Sequence, residues 1–189
     1  YTPVMNNILA EAKANQKKVV AKKEKPKDVQ YPSRIEGTDM QVKVDGKWQT
    51  MKIQGVNLGM GKPGYFPGQA AITEDEYFEW FDDIGKLGSN TIRVYNVQPP
   101  GFYNALKRYN EQAKHPLYVL HGTWIEEERI VEKGNVYDKK ATEAFQQEIR
   151  HIVDIIHGNE MIPYKAGHAT GAYTTDVSEY VIGWIIGIE

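Results

Sequence analysis

The sequence contains no cysteine. That single absence removes disulfide frameworks, thiolate zinc sites and thiol nucleophiles, and it leaves the redox compartment open. Long apolar runs are missing too: no window reaches the roughly 18 apolar residues that a membrane-spanning helix needs. A dominant charge is the third absence. With 23 Lys and Arg against 25 Asp and Glu the formal net charge is -2, so no global field draws nucleic acid or an anionic membrane surface. The chain opens on Tyr1, and no compartment is legible from that residue.

What is present is an ordinary globular composition, 41% hydrophobic and 25% charged over 189 residues, enough for one domain or a piece of a larger one. Residues 6–28, NNILAEAKANQKKVVAKKEKPKD, are rich in Lys and poor in large apolar side chains, and Pro26 breaks any helix begun earlier. Residues 1–34 therefore read as a Lys-rich arm or linker, and residues 35–189 as the folded part.

Within that part, Val42, Val44, Trp48 and Met51 flank Asp45-Gly46, a dipeptide suited to a two-residue hairpin turn. KIQGVNL reads as a short strand ending at Asn57. The loop after it carries Gly59, Gly61, Pro63, Gly64, Pro67 and Gly68, too irregular for a phosphate-cradling glycine motif. From Thr73 the period changes. Thr73 and Glu76 form a capping box, Tyr77, Trp80, Phe81, Ile84 and Leu87 mark one helical face, and Gly88 closes the helix.

NTIRVYNV then reads as a strand, GFYNALKRYNEQ as a helix with Phe102, Leu106 and Tyr109 on one side, and LYVLHGTWI as a third strand. EEERIVEKGNVYDKK reads as a long loop. A helix capped by Asp138 follows, with Phe145, Ile149, Ile152, Val153 and Ile156 at helical spacing and Gly158 at its end. AGHATGAYTTDVS connects it to VIGWIIGIE, whose apolar run suits a strand buried on both faces. Strand alternating with helix is the pattern of βαβ units, so the fold class is α/β with a parallel sheet, either doubly wound or the start of a (β/α)8 barrel. Four units are half of a barrel of about 250 residues.

In both architectures ligands sit at the carboxyl ends of the strands. That rule selects Asn57 after the first strand, Arg93, Tyr95 and Asn96 at the second, His121, Thr123 and Trp124 at the third, and Glu189 at the fourth. Glu189 is either a proton donor whose pKa is raised by its apolar surroundings or the residue at which the chain leaves the sheet. Arg93 is a substrate contact or half of a structural ion pair. His121 donates to a hydroxyl or is a satisfied core histidine. Trp124 is a sugar-stacking platform or a core residue. His168 falls in a helix-to-strand connection, opposite the usual site, and reads as structural. His151 and His157 have no second ligand at metal spacing, so neither a metal site nor a cofactor is expected.

KIQGVNLG, KLGSNTIRVYNV, LYVLHGTW and VIGWIIGIE, in that order, resemble the first four strands of retaining glycoside hydrolases of the (β/α)8 clan, nearest to glycoside hydrolase family 2 catalytic domains. NTIRVYNV is also similar to the fungal-type β-1,3-glucanosyltransferases of that clan. The resemblance covers residues from about 40 to 189. It implies the first four βα units of a TIM barrel, with a small hairpin in front, acting on an oligo- or polysaccharide by double displacement. Glu189 would be the acid/base, Arg93 would support a nucleophile carboxylate outside this chain, and Asn57, Tyr95, Asn96, His121 and Trp124 would bind sugar. An extracytoplasmic location is implied on the same ground. Ile188 stands where the clan usually has Asn, which favours the alternative of a non-catalytic carbohydrate-binding or scaffold domain. An open half-barrel is also expected to self-associate through its exposed strand edges.

Overall fold

The computed structural model describes residues 31–186; the Lys-rich stretch 6–28, Ile188 and Glu189 lie outside the described residues. The first sheet is an antiparallel meander of β1 (Ser33–Glu36), β2 (Asp39–Val44) and β3 (Lys47–Thr50). Val44 pairs with Lys47, so Asp45 and Gly46 alone make the turn. Both take positive φ, 47° and 77°, the two-residue geometry whose twist matches antiparallel strands. The expected hairpin is present, with one strand more. Ser33 and Arg34, read as the end of the arm, pair with Val42 and Gln41.

After β4 (Gly55–Asn57), Thr73 caps α1 (Glu74–Lys86) as expected. The Thr73 N–H donates to the Glu76 carboxylate at 2.8 Å and the Glu76 N–H donates back to Thr73 Oγ1 at 3.2 Å. Tyr77, Phe81 and Ile84 are buried. Leu87 is 78% exposed, because it is the C-cap residue, where the chain turns off the apolar stripe.

β5 (Thr91–Val94) leads to α2 (Pro100–Asn110), which has Pro at its first position and fully buried Phe102 and Leu106. The Asn110 side chain bonds both the N–H and the C=O of Leu117, at 2.8 and 2.9 Å, and so fixes the start of β6 (Tyr118–Thr123). The stretch expected to be a long loop contains a helix, α3 (Glu127–Lys133), closed by Gly134 at φ 59°. It buries no residue, and a helix without an apolar stripe leaves no periodic signal.

In α4 (Lys139–Ile156) the Asp138 carboxylate accepts from the Lys140 and Ala141 N–H groups. Ile152, Ile155 and Ile156 are buried, whereas Val153 is 40% exposed and stands off the stripe expected to include it. The Gly, Thr and His connection holds a hairpin, β7 (Glu160–Ile162) with β8 (Gly171–Tyr173), of only three residue pairs. The last strand is β9 (Val181–Ile186).

β4, β5, β6 and β9 form a parallel sheet in chain order, so the fold is mixed α/β. One register row, Val56–Ile92–Val119–Val181, crosses all four strands. It faces a core shared with Tyr77, Phe81 and Leu106. Each large side chain buried there contributes about 1.5 to 3 kcal/mol. A smaller core joins Val42 of the meander to Tyr118 and Ile182. Burial of β9 is confined to its start: Val181 and Ile182 are buried, but Trp184 is 43% and Ile186 69% exposed. Among the described residues β9 pairs with β6 alone, and both cores reach only its first residues. Among the described residues, no helix is long and apolar enough to cross a membrane.

Candidate functional site

The carboxyl ends of the four parallel strands open into a cavity of about 590 Å³. Arg93, Tyr95 and Asn96 reach it from β5 and its following loop, Thr123 and Trp124 from the end of β6, and Ile185 from β9. Met60 and Pro67, in the loop after β4, close one side. The loop is tied down by Lys62, whose Nζ lies 2.7 and 2.8 Å from the two Glu76 carboxylate oxygens. With the Thr73 N–H bond, that lysine holds the Glu76 carboxyl down at about 2. The floor requires Gly122. A Cβ there would stand 2.5 Å from the Tyr95 carbonyl oxygen, closer than any side chain tolerates.

Of the residues expected at the strand ends, Arg93, Tyr95, Asn96 and Trp124 come together around this cavity. The Arg93 guanidinium lies 4.5 Å from the centre of the Tyr95 ring, a cation–π geometry that fixes both side chains. Trp124 is 51% exposed, so its indole is available to a ligand and is no core residue. Asn96 is held by fully buried Gln98, whose Nε2 donates to the Asn96 side-chain oxygen at 3.0 Å and to its carbonyl at 3.2 Å. The Asn96 amide hydrogens are left for other partners.

Asn57 and His121 lie elsewhere. Asn57 is exposed beside Arg93 in the sheet register, outside the cavity lining. His121 is fully buried, on the side of β6 that faces the helices. Its Nδ1 lies 2.8 Å from the Gly122 carbonyl and its Nε2 2.9 Å from the Tyr103 hydroxyl. A carbonyl only accepts, so Nδ1 carries the proton and Nε2 accepts from Tyr103. Both ring nitrogens are used within the protein. Burial pushes the imidazole down to about 4, against the opposing bond to Gly122, so the ring is neutral at neutral pH.

A second cavity, about 520 Å³, lies beside the first, under α3, α4 and the β7–β8 hairpin. Asn96, Trp124, Met60 and Pro67 line both. His168, expected on the opposite face, lines this cavity. The hairpin carries it there, because its tip reaches the loop after β4: a Cβ on Gly68 would meet the Gly167 Cα at 2.9 Å.

Sequence reasoning also missed Glu148, which projects from α4 into this cavity. Its signal is in the helix period: Ala141, Ala144, Phe145, Glu148 and Ile152 share one face, and a carboxylate interrupts that apolar stripe. Burial pushes the Glu148 carboxyl up, opposed by His151 and Lys165 and reinforced by Glu126. Among the described residues, no group of three or more His, Asp or Glu is placed to hold a metal ion.

The arrangement offers an aromatic face, an anchored amide and a guanidinium at one cavity, with a carboxylate at its neighbour. Comparison of the chain with protein-family models, with curated proteins and with solved structures finds no match to any of them.

Proposed function

We propose that the chain forms the first half of a retaining glycoside hydrolase or transglycosidase barrel. The observation that carries this reading is the convergence of Arg93, Tyr95, Asn96 and Trp124 on one cavity at the carboxyl ends of four parallel strands. A half-exposed indole suits the apolar C–H face of a pyranose, and an anchored amide and a guanidinium suit its hydroxyls. Glu189 follows Ile186, the last residue of β9, by three positions.

In this reading a nucleophile carboxylate outside the chain attacks the anomeric carbon, and Glu189 protonates the leaving oxygen. The glycosyl-enzyme ester is then opened by water or an acceptor sugar, whose proton Glu189 removes. Retention requires the two carboxyl groups about 5 to 5.5 Å apart. Arg93 keeps the nucleophile ionised, Trp124 stacks on the sugar, and Asn96 donates to a hydroxyl. His121 serves by holding Tyr103 and the end of β6 in place.

The test is turnover of aryl glycosides by the full-length protein with Glu189 intact or replaced by Gln. An acid/base role predicts a rate loss of about 100-fold or more on poor leaving groups and a smaller loss on activated ones. Equal rates on all of them reject Glu189 as the acid. Ile188 and the exposure of Trp124 also suit a second reading, a non-catalytic carbohydrate-binding domain. That reading predicts sugar binding with no turnover of any glycoside.

A further inference from the structure

The second cavity has the features of a ligand site in its own right, and it shares a wall with the first. Three observations bear on what it takes. Glu148 is half-buried and has neither a hydrogen bond nor an ion pair among the described residues. Its polar neighbours are otherwise engaged: Glu126 pairs with Arg129 at 3.7 Å and Lys165 at 3.5 Å, and the His151 Nδ1 lies 2.8 Å from the Glu160 carboxylate. A desolvated carboxylate without a donor costs stability unless something supplies one.

The wall common to both cavities includes Asn96 and Trp124. Gln98 occupies the Asn96 side-chain oxygen, which leaves the amide hydrogens as donors. The indole is 51% exposed between the two spaces. The cavity thus presents an acceptor without a donor, a donor without an acceptor and a flat apolar face. Arg129 and Lys165 also line the cavity, but both pair with Glu126, so the set matches a neutral polyhydroxylated ring better than a purely apolar group, which would leave the carboxylate unsatisfied.

We propose that this cavity is a second sugar subsite, continuous with the strand-end cavity across Trp124 and Asn96, in which Glu148 accepts hydrogen bonds from sugar hydroxyls. The proposal rests on the carbohydrate reading above and narrows it: the ligand is a chain of two or more sugar units and not a single residue. Each cavity alone is of the size that encloses a small organic ligand.

The experiment uses the full-length protein and neutral oligosaccharides graded from one to six units, with affinities from calorimetry and ligand-observed NMR. The expected result is a gain of at least about tenfold on lengthening the sugar from one unit to two or three. Glu148→Ala then removes about tenfold for the longer sugars and nothing for the single unit, and Glu148→Gln, which keeps an acceptor oxygen, falls between. Affinity independent of length, or a Glu148→Ala loss that is nil or equal at every length, overturns the second subsite and leaves the first cavity's sugar reading standing. Binding of no sugar at any length, with no turnover of aryl glycosides, overturns the carbohydrate reading and the subsite with it.

Discussion

Two regions meet at the segment Asn96–Gln98 and treat polar groups in opposite ways. Beneath the helices, His121, Tyr103, Gln98 and Tyr173 form a closed set. The Gln98 N–H donates to the Tyr103 hydroxyl at 3.2 Å, Tyr103 donates to His121, and Tyr173 donates to the Gln98 carbonyl at 3.0 Å. All four are almost wholly buried and each has partners. In the two cavities, Glu148 has no hydrogen-bond donor among the described residues and Trp124 stands half in solvent. Closed sets of hydrogen bonds specify a fold; a desolvated carboxylate without a donor costs stability.

That contrast can be broken first at its most packed point. Phe102→Ala on the helix side should cost about 3 to 5 kcal/mol by urea denaturation, because the ring is fully buried against Tyr77, Phe81 and Tyr103. A loss below 1 kcal/mol would mean that the core there is not packed as described.

The next largest effect is a pH dependence. The His121 imidazole is held neutral down to about 4, whereas an unfolded histidine takes a proton near 6.5. Its contribution is therefore full above pH 6.5 and is lost as the pH falls toward 4, by about 3 kcal/mol in all. His121→Gln should be less stable at pH 7 and should lack that slope. Glu148 works against it, since a raised carboxyl favours the native state as pH falls, and Glu76 acts lower, from 4.5 down to about 2. An unchanged slope in His121→Gln would assign the acid sensitivity to other groups.

On the cavity side the same perturbation should separate binding from folding. Trp124→Ala should cost at most about 1 kcal/mol of stability, since half of the ring is already solvated. It should still weaken sugar binding by about tenfold, the upper range for an aromatic contact. The smallest effect expected is a gain: Glu148→Gln should raise the melting temperature at pH 7 and match the parent protein below about pH 4.5, where the parent carboxyl is protonated in both states. Loss of stability in that variant at pH 7 would show that Glu148 has a donor after all.

Sequence periodicity made the elements with buried stripes legible. The capping box at Thr73, the Asp45-Gly46 turn, the four strands and the Asp138 cap all follow from local chemistry that the chain carries openly. α3 escaped because EERIVEK buries nothing, and the β7–β8 hairpin because three residue pairs are too few to show alternation. For the site, the strand-end rule selected Arg93, Tyr95, Asn96 and Trp124, which do converge on one cavity. It could not foresee the exclusion of His121. In the alternating β6 that side chain faces the helices, and the register row Val94–His121–Trp184 becomes visible only once the strands are paired. His168 and Glu148 were hidden for the same reason, since a hairpin and a helix bring them to the cavity from far along the chain.

The Ser33 hydroxyl donates to the Ile182 carbonyl at 2.6 Å, across 149 residues. The meander beside it is built from near neighbours and is free to form early in synthesis. Its clasp on β9 must wait for almost all of the intervening chain, roughly 7 to 30 s at a ribosomal pace of about 5 to 20 residues per second. During that interval Val42 and Tyr118 have no Ile182 to cover them, so the smaller core, like the larger one that takes in Val181, closes only once β9 has been made.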